Sequence, residues 1–342
     1  MPEHFVERRW ESRSIPSKAA RFVLTPLSWL YAAIMQIRNV AYDRGWLRTY
    51  SLGLPTVSIG NLTVGGTGKT PVAAWFASQL LARGARPAIV LRGYGGDEAK
   101  VHEALVPGAL VEVGADRVDA AERARLRGAT VLVLDDAFQH RRARRDADVV
   151  LISADRHRSV RLLPAGPWRE PEHSLRRATH IVVTRKRTTP LRAREIAEYA
   201  ARIAPTAKVS VVHLTADVLV RWGGAERRTL DALAGKVVLA ISAIGDPRAF
   251  EGQLRDTGAR VATRTFADHH AFSQADVRQL SYDATGADFA VSTLKDAVKL
   301  GPVWPPSAPP LWYLSQTVRI EMGAEALDGL ARNLAALALA HD

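Results

Sequence analysis

Residues 60–71 read Gly-Asn-Leu-Thr-Val-Gly-Gly-Thr-Gly-Lys-Thr-Pro, and they constrain this chain more than any other stretch. The β-compatible run Pro55–Ile59 leads into them and an apolar helical pattern, Val72–Leu81, leaves them. A strand, a glycine-rich turn and a helix N-terminus form a cradle for phosphate, because glycines let the backbone approach an anion and unpaired N–H groups point at it. The candidate phosphate-binding residues are Thr63, Val64, Gly65, Gly66, Thr67, Gly68, Lys69 and Thr70. Lys69 has the reach for the β- and γ-phosphates of a nucleotide, and the Thr70 hydroxyl suits a bound Mg²⁺. Thr63 stands where the strict pattern has its first glycine, so the reading rests on the flanking strand and helix as well.

The 342-residue chain is long enough for two domains, and its 47% apolar content supplies two cores. It contains no cysteine, which excludes disulfides and thiolate metal sites. A formal charge of +12 favours an anionic partner: a nucleotide, a nucleic acid or a lipid headgroup. The first residues mix charges with no cleavage pattern, so no secretory leader is expected. From Phe22 to Ile37 the chain is apolar almost all round, flanked by Lys18, Arg21 and Arg38. That stretch is shorter than the roughly 20 residues a bilayer span needs. Two readings stay open: a helix packed on the protein's own core, or a monotopic helix whose Trp29 and Tyr31 lie at headgroup level.

Beyond the glycine-rich turn, strands are expected at Pro87–Leu91, Leu110–Val113, Thr130–Leu134, Asp148–Ile152, His180–Thr184 and Val209–Val212, with helices at Asp116–Arg127 and Leu191–Ile203. Near-continuous Val/Ile/Leu strands alternating with helices predict an α/β fold: a P-loop NTPase-type, doubly wound, mostly parallel sheet binding its ligand at the strands' C-terminal ends. A polar, Gly-containing stretch near Asp217–Gly235 reads as a hairpin linker. A second, smaller α/β unit follows, with strands at Val237–Ile241, Arg260–Phe266, Phe289–Thr293 and Leu311–Leu314, and helices at Pro247–Thr257, Ala275–Ala284 and Ala324–Ala340. The expected domains are residues 1–48 (an N-terminal helical segment), 49–214 (the phosphate-binding domain), 215–236 (the linker) and 237–342 (a second domain closing over the first).

Polar clusters fall just past several of these strands. Thr130–Leu134 ends in Asp135-Asp136, an arrangement that holds a nucleotide's Mg²⁺, followed by Gln139 and His140. Pro87–Leu91 is followed by Arg92, Tyr94, Asp97 and Glu98; two carboxylates on a glycine-rich loop suit the base of a phosphoryl transfer, or a solvated surface turn. In the second unit Asp268-His269-His270 follows a strand, and a base, an orienting histidine and a structural loop histidine all remain open. Adjacent histidines seldom converge on one metal ion. Arg169, in the Pro- and Gly-rich loop 163–171, can clamp an anion.

Together these clusters resemble one family, the tetraacyldisaccharide 4′-kinases of Gram-negative bacteria. The motifs carrying the resemblance are the 60–71 stretch, Arg-Gly-Tyr-Gly (92–95), Gly-Asp-Glu (96–98), Val-Gly-Ala-Asp-Arg (113–117) and Asp-Asp-Ala-Phe-Gln-His (135–140). Leu-Pro-Ala-Gly-Pro (163–167), Ala-Asp-His-His (267–270) and Thr-Leu-Lys-Asp-Ala-Val-Lys (293–299) continue it in family order. The N-terminal Pro26–Tyr31 segment is similar to the family's membrane-associated helix. The resemblance implies transfer of the ATP γ-phosphate to the 4′-hydroxyl of an acylated glucosamine disaccharide 1-phosphate, at an anionic membrane surface on the cytoplasmic face of the bacterial inner membrane. It implies an Asp97–His269 catalytic pair and Mg²⁺ on Thr70, Asp135, Asp136 and Glu98. Arg92, Tyr94, Gln139, His140 and Arg169 would face the substrate. Departures are Ala99 for the usual Pro, Ala137 for Gly, Leu294 for Glu, and a nearly absent stretch between the Arg-Gly-Tyr-Gly and Gly-Asp-Glu motifs.

Two other function classes fit parts of the chain. A P-loop switch or partition-type ATPase would hydrolyse ATP to control a protein partner, with no lipid acceptor. A nucleic-acid-binding protein would need an aromatic-studded basic surface, which the sequence does not display. Neither nucleic acid nor an obligate protein partner is expected.

Overall fold

Strands rich in Val, Ile and Leu on both faces need cover from helices on both sides, and that requirement organises the fold. The computed structural model describes residues 15–93, 96–155 and 160–340, with elements numbered here in chain order. The described chain packs as two compact units. The first takes residues up to Gly93, His102–Leu214 and those from Val318 onward. Its strands are β1 (Thr56–Asn61), β2 (Pro87–Leu91), β3 (Leu110–Val113), β4 (Val131–Asp135), β5 (Ala147–Ser153), β6 (His180–Arg185) and the first part of β7 (Lys208–Arg221). They run in the order β3-β2-β4-β1-β5-β6-β7, each neighbouring pair parallel.

Every residue of β1, β2 and β4 is buried. Because side chains alternate along a strand, Val131 and Val133 join one core while Leu132 and Leu134 join the opposite one. The first core contains α2 (Lys69–Leu81) and the C-terminal helix α9 (Ala324–Leu339). The second is closed by Ala120, Ala121 and Ala124 of α4 (Arg117–Leu126), whose N-terminus is capped by Asp116 accepting from the Val118 N–H. A third core packs α5 (Pro190–Ile203) on β5 and β6.

The N-terminal helix α1 (Ile15–Asp43) extends well beyond the apolar stretch and contains Pro26. Its polar side chains face the first unit. Ser28 Oγ donates to the Leu162 carbonyl at 3.0 Å, Tyr31 Oη donates to the Arg169 carbonyl at 2.8 Å, and Asn39 Nδ2 donates to Glu170 at 2.7 Å. Apolar residues point outward instead: Trp29 is 70% exposed and Ile37 68%, with Leu27, Leu30 and Ile34 beside them. Among the described residues no helix is long and apolar enough to cross a membrane.

The second unit comprises Thr215–Thr317 and the described residues just before and including Val101. Strands β9 (Val237–Ser242), β10 (Arg260–Thr265), β11 (Phe289–Thr293) and β12 (Leu311–Met322) pair in parallel in the order β10-β9-β11-β12. The short β8 (Arg227–Thr229) returns antiparallel on the far part of β7. Helices α6 (Pro247–Arg255), α7 (Gln274–Ala284) and α8 (Leu294–Leu300) complete the unit.

Several elements differ from expectation. Asp97 and Glu98 do not lie on a loop; they open a helix, α3 (Asp97–Leu105), where carboxylates favour the positive end of the dipole. Helix α8 occupies a stretch for which no element was expected. β7 and β12 run far past Val212 and Leu314, because half-buried alternation replaces the continuous apolar run that marks a doubly covered strand.

Candidate active site

The glycine-rich turn between β1 and α2 is held from several sides by the first unit. Asn61, fully buried at the end of β1, donates from Nδ2 to Thr67 Oγ1 at 2.8 Å, and Thr184 Oγ1 donates to the Thr67 carbonyl at 2.8 Å. The Val64 N–H donates to the Pro167 carbonyl at 2.8 Å and the Arg169 N–H to the Leu62 carbonyl at 2.7 Å, so loop 163–171 is laced to the turn. Thr63 forms an isolated antiparallel bridge with Trp168. Gly68, the N-cap of α2, has φ +86, a conformation that costs glycine little and other residues more. Lys69 and Thr70 open the helix, whose first-turn N–H groups have no intrahelical carbonyl to meet.

Gly60 permits a close approach. A Cβ there would stand 2.5 Å from Phe138 Cβ and 2.8 Å from its backbone nitrogen. Gly60→Ala is therefore expected to destabilise the fold by about 1–3 kcal/mol through overpacking. Urea unfolding checks this, and an unchanged midpoint would show that the β4–β5 connection yields freely.

The register of β1 on β4 pairs Ile59 with Asp135, so the acidic end of β4 arrives beside the glycine-rich turn. Asp136 takes both Arg169 (Nη1 at 2.8 and 2.9 Å to its two oxygens) and Lys69 (Nζ at 3.4 Å). Burial alone would raise its pKa, but Lys69 and Arg169 outweigh that and hold the carboxyl below its usual range. Asp135 is more buried. His102 Nε2, itself fully buried, lies 2.9 Å from its Oδ2, while its Oδ1 meets no partner among the described residues. Arg117, the buried first residue of α4, donates to the Gly114 carbonyl at 2.7 Å and to the Asp135 carbonyl at 3.4 Å.

Gln139 donates from Nε2 to the Asn61 carbonyl at 2.9 Å, while its own carbonyl accepts from Arg38 of α1 at 2.7 Å. His140 is desolvated and faces Arg117, which drives its pKa down to about 4 and leaves the imidazole neutral near pH 7. Arg92 stands in the exposed loop after β2. Tyr94 lies outside the described residues.

In the second unit Asp97, 4% exposed, begins α3 with its Oδ2 facing the Lys299 ammonium (Nζ at 3.2 Å) and the His269 imidazole (Nδ1 at 3.7 Å). Burial pushes its pKa up, but His269 and Lys299 together hold it well below the usual carboxylate range. His269 is half exposed and rides above the usual imidazole value, chiefly through Asp97. Its Nε2 lies 3.5 Å from Asp268. Both Asp97 oxygens are buried without a hydrogen-bond donor among the described residues, and Oδ2 is the one drawn into the ion pairs. His269 at φ +58 and Asp136 at φ +51 are the two non-glycine residues with positive φ among those described. Both occupy left-handed backbone at the centre of a charged cluster.

Glu98 belongs to the second unit, in the first turn of α3. Among the described residues no group of three or more His, Asp or Glu side chains converges as a ready-made metal site. The orphaned Asp135 Oδ1 is still a fit for a hydrated divalent cation. Sequence reasoning passed over His102, Asn61, Arg117 and Lys299. His102 lies on a helix read as a loop, and Lys299 carried no signal beyond its place in the 293–299 block.

Comparison with known proteins bears on the chain as a whole. The family model described as tetraacyldisaccharide-1-P 4′-kinase matches residues 20–334. The tetraacyldisaccharide 4′-kinase of Geobacter metallireducens is 38% identical over 310 residues, covering 82% of this chain and 89% of that protein. Its namesake from Halorhodospira halophila is 36% identical over 354 aligned residues, covering 95% and 96%. Among solved structures, LpxK from Aquifex aeolicus, described as an "apo" form in complex with ATP, superposes with a TM-score of 0.73 at 27% identity. The match covers 92% of this chain and 99% of that one.

Proposed function

The chain belongs to the tetraacyldisaccharide 4′-kinase family, and we propose how its own residues divide the work of that reaction. The protein is an ATP-dependent kinase that phosphorylates the 4′-position of a disaccharide 1-phosphate precursor of lipid A. In our reading the turn from Thr63 to Thr70 is a phosphate-binding P-loop. Its backbone N–H groups and the α2 N-terminus take the nucleotide's phosphates, and Lys69 neutralises charge that builds on the transferred group. The observation carrying this is the pairing of Lys69 with Asp136 beside a left-handed Gly68, a cation held ready at a helix N-terminus.

Within the first unit Mg²⁺ would be held by Thr70 and Asp135, with Asp136 as a further carboxylate; when bound it offsets charge on the phosphate oxygens. Asp135 has the buried unpaired oxygen, whereas Asp136 is occupied by Arg169 and Lys69. His102 keeps the other Asp135 oxygen fixed.

Asp97 and His269 form the proposed catalytic pair. The free Asp97 Oδ1 accepts a hydrogen bond from the acceptor's 4′-hydroxyl, and Oδ2 stays with His269 and Lys299. A carboxylate held below its usual range is a weak base, so its main contribution is orientation. A loose phosphoryl-transfer transition state demands little more, since the hydroxyl proton leaves late. Arg92, Gln139, His140 and Arg169 are proposed to line the acceptor site. Incubation with ATP, Mg²⁺ and a monophosphorylated tetraacyl disaccharide tests the reading. The bisphosphorylated product is expected, and ATP turnover indifferent to the lipid would point instead to a switch-type ATPase.

We further propose that α1 lies on an anionic membrane surface at the cytoplasmic face, its outward Leu27, Trp29, Leu30, Ile34 and Ile37 entering the headgroup region. Leu30→Glu with Ile34→Glu is expected to abolish flotation with phosphatidylglycerol vesicles while leaving the unfolding temperature unchanged. Undiminished flotation would send those side chains elsewhere.

A further inference from the structure

The short helix α8 contributes Lys299, named above only as a neighbour of Asp97, and Asp296, which the reaction scheme does not use. Lys299 and Asp296 stand one helical turn apart, so their side chains share a face. Lys299 Nζ reaches Asp97 Oδ2 at 3.2 Å, closer than His269 does, and the ammonium is itself largely buried. Asp296 is fully buried and works through backbone. Its Oδ2 accepts from the Ala243 N–H at 3.0 Å and from Thr293 Oγ1 at 2.7 Å. The carbonyl of that same Ala243 accepts the His269 N–H at 3.2 Å. One helix therefore grips both members of the pair, Asp97 through a side chain and His269 through a backbone relay.

We propose that Lys299 and Asp296 are positioning residues for phosphoryl transfer: Lys299 fixes which oxygen of Asp97 faces the acceptor, and Asp296 fixes the left-handed backbone of His269. Both Asp97 oxygens are buried without a hydrogen-bond donor among the described residues, so only ion pairing distinguishes them: Oδ2 is the oxygen that pairs with Lys299 at 3.2 Å and His269 at 3.7 Å, and without Lys299 the carboxylate can rotate and present either oxygen. His269, at φ +58, needs an outside contact to persist in a sparsely populated conformation, and the Ala243 carbonyl is that contact. Neither residue touches the acceptor, so each acts on turnover through another group.

This inference rests on Asp97 acting in the reaction, and the test separates the two ideas. Full-length Lys299→Met, Lys299→Arg and Asp97→Asn are compared for kcat and for KM toward ATP and the monophosphorylated disaccharide. Misplacing a reacting group by an ångström costs about 10²-fold in rate. Lys299→Met is thus expected to lower kcat by about that factor, with both KM values within about twofold of the parent. Lys299→Arg, which keeps the cation, is expected to recover most of the loss. A double variant Asp97→Asn/Lys299→Met should be no slower than Asp97→Asn alone, because a group that is gone cannot be mispositioned. Full activity in Lys299→Met while Asp97→Asn is inactive would overturn the positioning role and leave the catalytic pair standing. Full activity in Asp97→Asn would overturn the pair itself. Equal losses in the Met and Arg variants would also refute the proposal, since the charge would then be irrelevant. Asp296→Asn is the companion variant. Should it fail to fold, the Lys299 series decides alone.

Discussion

Lys69→Ala is expected to cut phosphoryl transfer by on the order of 10³-fold, the scale seen when one preorganised charge-stabilising group is lost. The ammonium stands at the N-terminus of α2, largely buried, and pairs with Asp136. That pairing holds the cation next to the turn proposed to bind phosphate. In the proposed reading, the charge it meets during transfer lies on the nucleotide instead. Removing it should spare the fold, because Arg169 still holds both oxygens of Asp136 and no buried carboxylate is abandoned. Steady-state rates and a thermal melt on the same sample check this. A rate within tenfold of the parent would mean that another cation serves the transferred phosphate. Lys69→Arg should not restore activity, since a planar fork cannot replace a compact point charge on a flexible stem.

Asp97→Asn is expected to reduce kcat by about 10³-fold, because the amide presents a weaker acceptor and a donor where the carboxylate orients the acceptor's hydroxyl. Nucleotide affinity, measured by equilibrium binding of a fluorescent ATP analogue, should stay within about threefold, because such a loss is confined to the transition state. The amide is nearly isosteric, so His269 and Lys299 keep a neighbour of the right size, though Lys299 loses its counter-charge. A modest loss of stability, about 1–3 kcal/mol, follows from leaving a largely buried ammonium underpaired. A variant that binds ATP poorly and turns over normally at saturation would reassign Asp97 to the nucleotide or its metal.

Much of the fold was readable because its strands obey simple physics. Pro87–Leu91, Leu110–Val113 and Phe289–Thr293 match their expected bounds, being short apolar runs with clear turn signals on either side. Other bounds shifted by a residue or two where caps decide; Asp116, expected inside a helix, is its N-cap. The misses share a cause. α3 and α8 are each under ten residues, too short for a 3.6-residue period to repeat convincingly, and tertiary packing rather than propensity makes them helical. The long β7 and β12 lose their signal midway as their outer faces become polar.

The candidate site divided in the same way. Glycine-rich turns and acidic strand ends announce themselves in one dimension, so the Gly60–Thr70 region and Asp135-Asp136 were visible at once. Long-range partners were not. His102 lies 33 residues from Asp135, and Lys299 falls in a different part of the chain from Asp97 altogether. Only the folded topology brings such side chains to one carboxylate. The outward apolar face of α1 was half legible: its hydrophobicity was plain, but its inward polar grip through Ser28, Tyr31 and Asn39 required coordinates.

The left-handed backbone at Asp136 and His269 has a bearing on anyone who would make this protein sturdier. Each such residue carries a conformational penalty of about 1 kcal/mol or more that glycine would avoid and asparagine would soften. A search guided by heat tolerance alone will therefore be drawn toward those two codons and reward their loss. Under the roles proposed for Asp136 and His269, ruggedness and turnover are opposed at these two places, and a durable variant is better sought elsewhere in the chain.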